Sequence, residues 1–122
     1  MGVVRYLVDD VASALDFYRD ALGFTEEERF GDAFAIVRRD DLELWLSGPA
    51  SSARRPMPDG GEPVPGGWNR LVLVEADLTT RLEQLRALGI HFRSGEVRGP
   101  GGTQIVLDDP SGNPIELFAP SS

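Results

Sequence analysis

A chain of 122 residues fits one ordinary domain and can bury a core without metals or crosslinks. Cysteine is absent, which excludes structural disulfides and thiol catalysis. The net charge of −8 sets 20 carboxylates against 12 bases, all arginine, and with no arginine-rich run it argues against a nucleic-acid partner.

The apolar run at 3–8 reads as a first strand, ended by Asp9-Asp10. Residues 11–21 have helical spacing, with Val11, Leu15, Tyr18 and Leu22 on one face, Asp10 placed as N-cap and Gly23 as the stop. Strands are expected at 24–29, 33–38 and 42–47. In the last of these Leu42, Leu44 and Leu46 alternate with Glu43 and Trp45, which fall on the face away from the helix. Residues 48–67 hold five prolines and five glycines, a composition that forms neither a regular helix nor a central strand. This stretch reads as a crossover loop and a wall of a pocket.

The first pattern then returns. Residues 70–77 form a strand ending in Asp77, and 78–88 are helical with Leu78, Leu82, Leu85 and Leu88 turned inward before Gly89. Further strands are expected at 90–93, 104–107 and 114–118, with turns at 98–102 and 108–112. Asp10 and Asp77 are 67 residues apart and Gly23 and Gly89 are 66 apart, so the repeat lies in element order more than in letters. The expected fold is α+β, a single domain over 1–122. It consists of two βαβββ modules, 1–47 and 68–122, joined by the crossover at 48–67, with curled mixed sheets around a cleft. No roughly 18-residue apolar run and no signal-peptide core occurs, so the expectation is a cytoplasmic protein without membrane association.

Two segments carry a family likeness: Asp10-Val11-Ala12-Ser13-Ala14-Leu15-Asp16-Phe17-Tyr18-Arg19-Asp20-Ala21-Leu22-Gly23-Phe24 and Asp109-Pro110-Ser111-Gly112-Asn113-Pro114-Ile115-Glu116-Leu117. Together they resemble the vicinal oxygen chelate superfamily, which includes glyoxalase I, extradiol dioxygenases, fosfomycin-resistance enzymes and bleomycin-resistance proteins. The resemblance implies that a metal-using member would place one ligand on the first strand and one on the last strand of each half. Those first-strand positions fall on Val3 and Arg70, which cannot ligate a cation; Glu116 matches the family's last-strand glutamate, and Glu43 is the first-half candidate. The single histidine, His91, falls away from this set. No metal centre and no cofactor is therefore expected.

The remaining candidates concern a small-molecule ligand. Arg70 and Glu116 are expected to pair, either as a structural ion pair or as a grip on a polar ligand. Trp45 and Trp68 are candidates to stack on a flat ligand, with Phe34 and Tyr6 as further walls. Each aromatic could equally serve core or dimer packing. The first reading is a binding protein of the bleomycin-resistance type that sequesters an aromatic or cationic molecule without a conventional metal site. The alternative is a glyoxalase-like lyase, isomerase or dioxygenase-related enzyme with an altered site using Glu116 as its catalytic carboxylate. A homodimer is expected, because half-modules of this size leave apolar edges to bury.

Overall fold

The computed structural model of the chain describes residues 2–121. β1 (Gly2–Leu7) leads into α1 (Val11–Asp16), followed by β2 (Thr25–Phe30), β3 (Phe34–Arg39) and β4 (Leu42–Ser47). After one short 3-10 turn at Ser52–Arg54 come β5 (Leu71–Val74), α2 (Leu78–Ala87), β6 (Val97–Gly99), β7 (Gly102–Asp108) and β8 (Pro114–Pro120). The fold is α+β, with two four-stranded mixed sheets ordered β1-β4-β3-β2 and β5-β8-β7-β6. In each sheet the first strand of the module pairs parallel with the last, and the other pairings are antiparallel. Among the described residues no helix is long and apolar enough to cross a membrane.

Contacts divide the chain into two compact units, Met1–Gly66 and Gly67–Ser122. The Pro/Gly-rich stretch belongs to the first, where Arg54 fastens it. Its Nη1 donates to Val8 O at 3.0 Å and its Nε to Pro63 O at 2.9 Å.

In the first unit, α1 widens into a π-type turn over Phe17–Ala21, closed by Gly23 at φ 74 and the bond from Phe24 N to Tyr18 O. The wider turn keeps Phe17, Tyr18 and Ala21 all buried, more than a straight helical stripe would cover. Tyr18 is fully enclosed and stands edge-on to Phe17 at 5.1 Å and to Phe24 at 5.4 Å. Ala35, Val37, Leu44 and Leu46 meet this helix, while the alternate residues Phe34, Ile36, Glu43 and Trp45 lie on the opposite, more open face. The parallel register pairs Val3 with Glu43, Arg5 with Trp45 and Leu7 with Ser47, which puts these β1 residues on that open face too.

The second unit repeats the scheme. Leu78, Leu82 and Leu85 bury against Leu71, Leu73, Ile105, Leu107, Ile115 and Leu117. Asp77 caps α2, its carboxylate accepting the Thr80 N–H at 3.1 Å and the Thr80 hydroxyl at 2.7 Å. The turn after β7 is built by Asp109, which accepts from Ser111 N, Asn113 N and Asn113 Nδ2 while Gly112 takes φ 82.

Two expectations are corrected. Leu88 is 56% exposed, because α2 ends at Ala87 and Leu88 is already its C-cap. Residues 90–93 form only one isolated bridge, Phe92 to Leu107, and the strand appears later as β6, where a turn was expected. The cause is local. Arg93 N and Ser94 N both donate to Val106 O, which interrupts the ladder, and the Arg93 side chain is drawn to Asp108, Gly67 O and Gly112 O.

Candidate functional site

Each module carries its own cluster of polar and aromatic side chains on the sheet face opposite the helix. In the first, Trp45 is the centre. Its Nε1 donates to Glu43 Oε2 at 2.8 Å, and Phe34 stands edge-on to it at 5.7 Å. The Arg5 guanidinium lies 5.0 Å from the Trp45 ring and 5.9 Å from Phe34, and its Nη1 donates to Ser47 Oγ at 3.0 Å. Glu43 also accepts from Arg38 Nη2 at 2.7 Å, and Arg38 Nε binds Glu27. The Glu27 hydrogen bond is the main cause that pushes the Arg38 guanidinium above its ordinary value, with Glu43 adding to it.

Glu43 is thereby committed on both oxygens, and it orients the tryptophan more than it offers a free base. Beside this cluster runs a groove of ≈ 350 Å3 lined by Arg5, Ala33, Phe34, Ala50, Ser51 and Ser52. An adjoining groove of ≈ 320 Å3 follows Pro49–Pro56. Strand alternation separates Tyr6 from this group: it pairs with Leu46 on the helix-covered face, opposite Trp45 and Phe34.

In the second module Arg70 and Glu116 come together, as the family resemblance implies. Arg70 donates from Nε and Nη2 to Glu116 Oε1 at 3.1 and 3.0 Å, with side chains 28% and 11% exposed. Val72 and Val74 flank this pair on the same open face, at 51% and 59% exposure. Trp68 is 73% exposed and stacks on a different residue, with the Arg93 guanidinium 4.8 Å from its ring. His91 binds Asp108 Oδ2 through Nδ1 at 2.8 Å, beside Arg93 on the other carboxylate oxygen.

The backbone fixes how the two modules correspond. Val8 N donates to Ser47 O, and Glu75 N donates to Phe118 O, each two residues before the aspartate at the helix N-cap position. Counting back along the strands, Val3 corresponds to Arg70, Trp45 to Glu116 and Glu43 to Pro114. Glu43 is therefore displaced by two residues from the position that matches Glu116. At these positions the first module holds Val and Trp and the second holds Arg and Glu, so neither module offers more than one carboxylate, which does not fit a divalent metal. Among the described residues no three His, Cys, Asp or Glu side chains gather as a cation site.

The sequence reading missed Arg5, Arg38, Ser47 and Ser52. The signal was present in the alternation of β1: a residue two positions from Val3 on a paired strand shares its face, so Arg5 had to join Trp45 once the register was known.

Two βαβββ modules, each with an aspartate at the helix N-cap position and a parallel closing strand, define a protein of the glyoxalase type. The chain belongs to the Glyoxalase/Bleomycin resistance protein/Dioxygenase superfamily, whose family model matches residues 1–117. No curated protein matches the sequence. Among solved structures it is similar to TnmS3, an antibiotic binding protein from Streptomyces sp. CB03234, at 26% identity and TM-score 0.74, over 98% of this chain and 93% of that one. A superfamily member from Sphaerobacter thermophilus DSM 20745 gives 25% identity and TM-score 0.76, with 98% and 95% covered. The lactoylglutathione lyase of Agrobacterium tumefaciens shares the fold at TM-score 0.78 and 21% identity, with 98% and 92% covered.

Proposed function

We propose that the chain is a metal-independent small-molecule binding protein that takes a flat aromatic ligand against Phe34, in the groove beside Trp45 of the first module. The observation that carries this reading is the replacement, at the position corresponding to Glu116, of a carboxylate by Trp45. Glu43, Arg38, Phe34 and Arg5 hold that tryptophan in place beside a ≈ 350 Å3 groove. A groove of a few hundred Å3 with one aromatic wall and a few polar side chains to orient the ligand suits a small planar molecule. The likeness to an antibiotic binding protein supports the same class. The engagement of Glu43 by Trp45 and Arg38, and of Glu116 by Arg70, favours binding over acid–base catalysis at either carboxylate. Homodimerisation belongs to this proposal; sedimentation at the 13.3 kDa of one chain would remove it.

The test uses the indole N–H resonance of Trp45, assigned through a Trp68→Phe variant, since the chain has only these two tryptophans. Titration with 2-naphthamide, an uncharged planar probe, is expected to shift this resonance. Phe34→Leu should weaken the probe roughly tenfold by removing the ring contact. A Trp45 resonance unmoved at millimolar 2-naphthamide would refute the reading.

A further inference from the structure

The acidic chain builds its candidate groove from cationic and neutral side chains. The net charge is −8, yet no carboxylate lines either groove: one has Arg5 with Ser51 and Ser52, the adjoining one Arg54 and Arg55, and they share Ala50, Ser51 and Ser52. The net charge by itself favours a cationic ligand; the groove wall reverses that preference, because a charge a few ångströms away outweighs distant ones screened by solvent.

Arg5 is the residue that decides the matter. Arg19, Arg38, Arg70, Arg81 and Arg93 each hold a carboxylate at 3.0 Å or less. Arg54 is engaged by Val8 O and Pro63 O, with Asp9 at 4.0 Å. Arg5 instead touches one hydroxyl, Ser47 Oγ, and two ring faces, and among the described residues it has no ion-pair partner. The rings and Ser47 fix its plane, and its remaining N–H groups keep the fork geometry that matches a carboxylate.

We infer that the ligand is an aromatic carboxylate, its ring against Phe34 beside Trp45 and its carboxylate taken by Arg5, with Ser52 on the same wall. This rests on the aromatic reading of the groove and adds the charge of the ligand to it. Arg5 acts as the residue that selects anion over cation.

Three probes of one shape separate the two claims: 2-naphthoate, 2-naphthamide and 2-naphthylmethylammonium, each titrated while the Trp45 indole resonance is followed. Naphthoate is expected to bind roughly tenfold tighter than naphthamide, and the ammonium more weakly than both. Arg5→Gln should erase the advantage of naphthoate while leaving naphthamide bound, which also shows that the groove is still formed. Arg98→Gln makes the same change in net charge outside the groove and should leave the advantage intact. Equal affinity for naphthoate and naphthamide, or an ammonium that binds as tightly, would overturn the anion inference and leave the aromatic reading standing. Persistence of the naphthoate advantage in Arg5→Gln would overturn the role of Arg5. Failure of all three probes to bind would overturn the aromatic reading and this inference together.

Discussion

Replacing Arg70 by methionine tests the second module at an enclosed carboxylate. The carboxylate of Glu116 keeps only 11% of its side-chain surface in water, while Arg70 keeps 28% and supplies two hydrogen bonds to Oε1. Removing one partner of a fully buried pair costs about 3–5 kcal/mol, whereas a fully exposed pair contributes about 0–1 kcal/mol. A nearly enclosed carboxylate beside a guanidinium about one quarter open falls between these limits, at about 2 kcal/mol. An unfolding entropy of about 2.1 cal/mol/K per residue gives about 0.26 kcal/mol/K for 122 residues, so melting should fall by about 8 °C. Thermal unfolding followed by circular dichroism reads this directly. The double variant Arg70→Met with Glu116→Gln should recover more than half of the loss, because the stranded charge disappears with its partner. An Arg70→Met protein melting within about 1 °C of the parent would show that water, not Arg70, solvates Glu116.

Two further outcomes follow from single positions. The Thr80 hydroxyl first, and the Thr80 N–H after it, hold the Asp77 carboxyl below its ordinary 3.8. A folded-state value depressed in this way contributes stability above the unfolded value and loses it as pH falls through the folded one. Asp77→Asn, which keeps an acceptor but cannot titrate, should therefore lose less stability than the parent between about pH 4 and about pH 2. Parallel denaturation midpoints for the two proteins across that range would contradict the assignment. At Gly102, φ is +154 and a Cβ would stand 2.2 Å from Ala119 O and 2.9 Å from Phe118 Cζ. Gly102→Ala should cost about 3 kcal/mol or more, since backbone of the paired β8 strand must move. Gly99→Ala, with nothing within 4 Å, should change stability by less than about 0.5 kcal/mol; equal urea midpoints for these two variants would refute the argument.

Much of the architecture was legible because it rests on local chemistry. The Leu78, Leu82 and Leu85 stripe, the stop at Gly89 and the Asp109 turn are each decided within a few residues, and the fold contains all of them; Asp10 stands at the expected N-cap position of α1 but makes no side-chain cap bond there. The strand misplaced at 90–93 was not legible, because its alternation is overridden by what Arg93 binds: Asp108, Gly67 and Gly112 are distant in sequence. The end of α2, which leaves Leu88 exposed, was lost for the ordinary reason that helix boundaries are weakly marked.

By itself the sequence determined the duplicated α+β plan, with its helical stripes and its glycine and aspartate turns, each from residue identity and spacing along one strand or helix. The expected pairing of Arg70 with Glu116 and the missing ligand at Val3 came from the family resemblance. Tertiary structure alone decided which side chains share a face across strands. Parallel pairing of β1 with β4 places Arg5 on Trp45 and sends Tyr6 to the helix side, and the backbone bonds of Val8 and Glu75 make Trp45, not Glu43, the counterpart of Glu116. The physical reason is that a β-strand alternates with period two, so a single unit of register reverses every side chain. Register between strands some forty residues apart is set by the packed sheet and not by the residues on either strand.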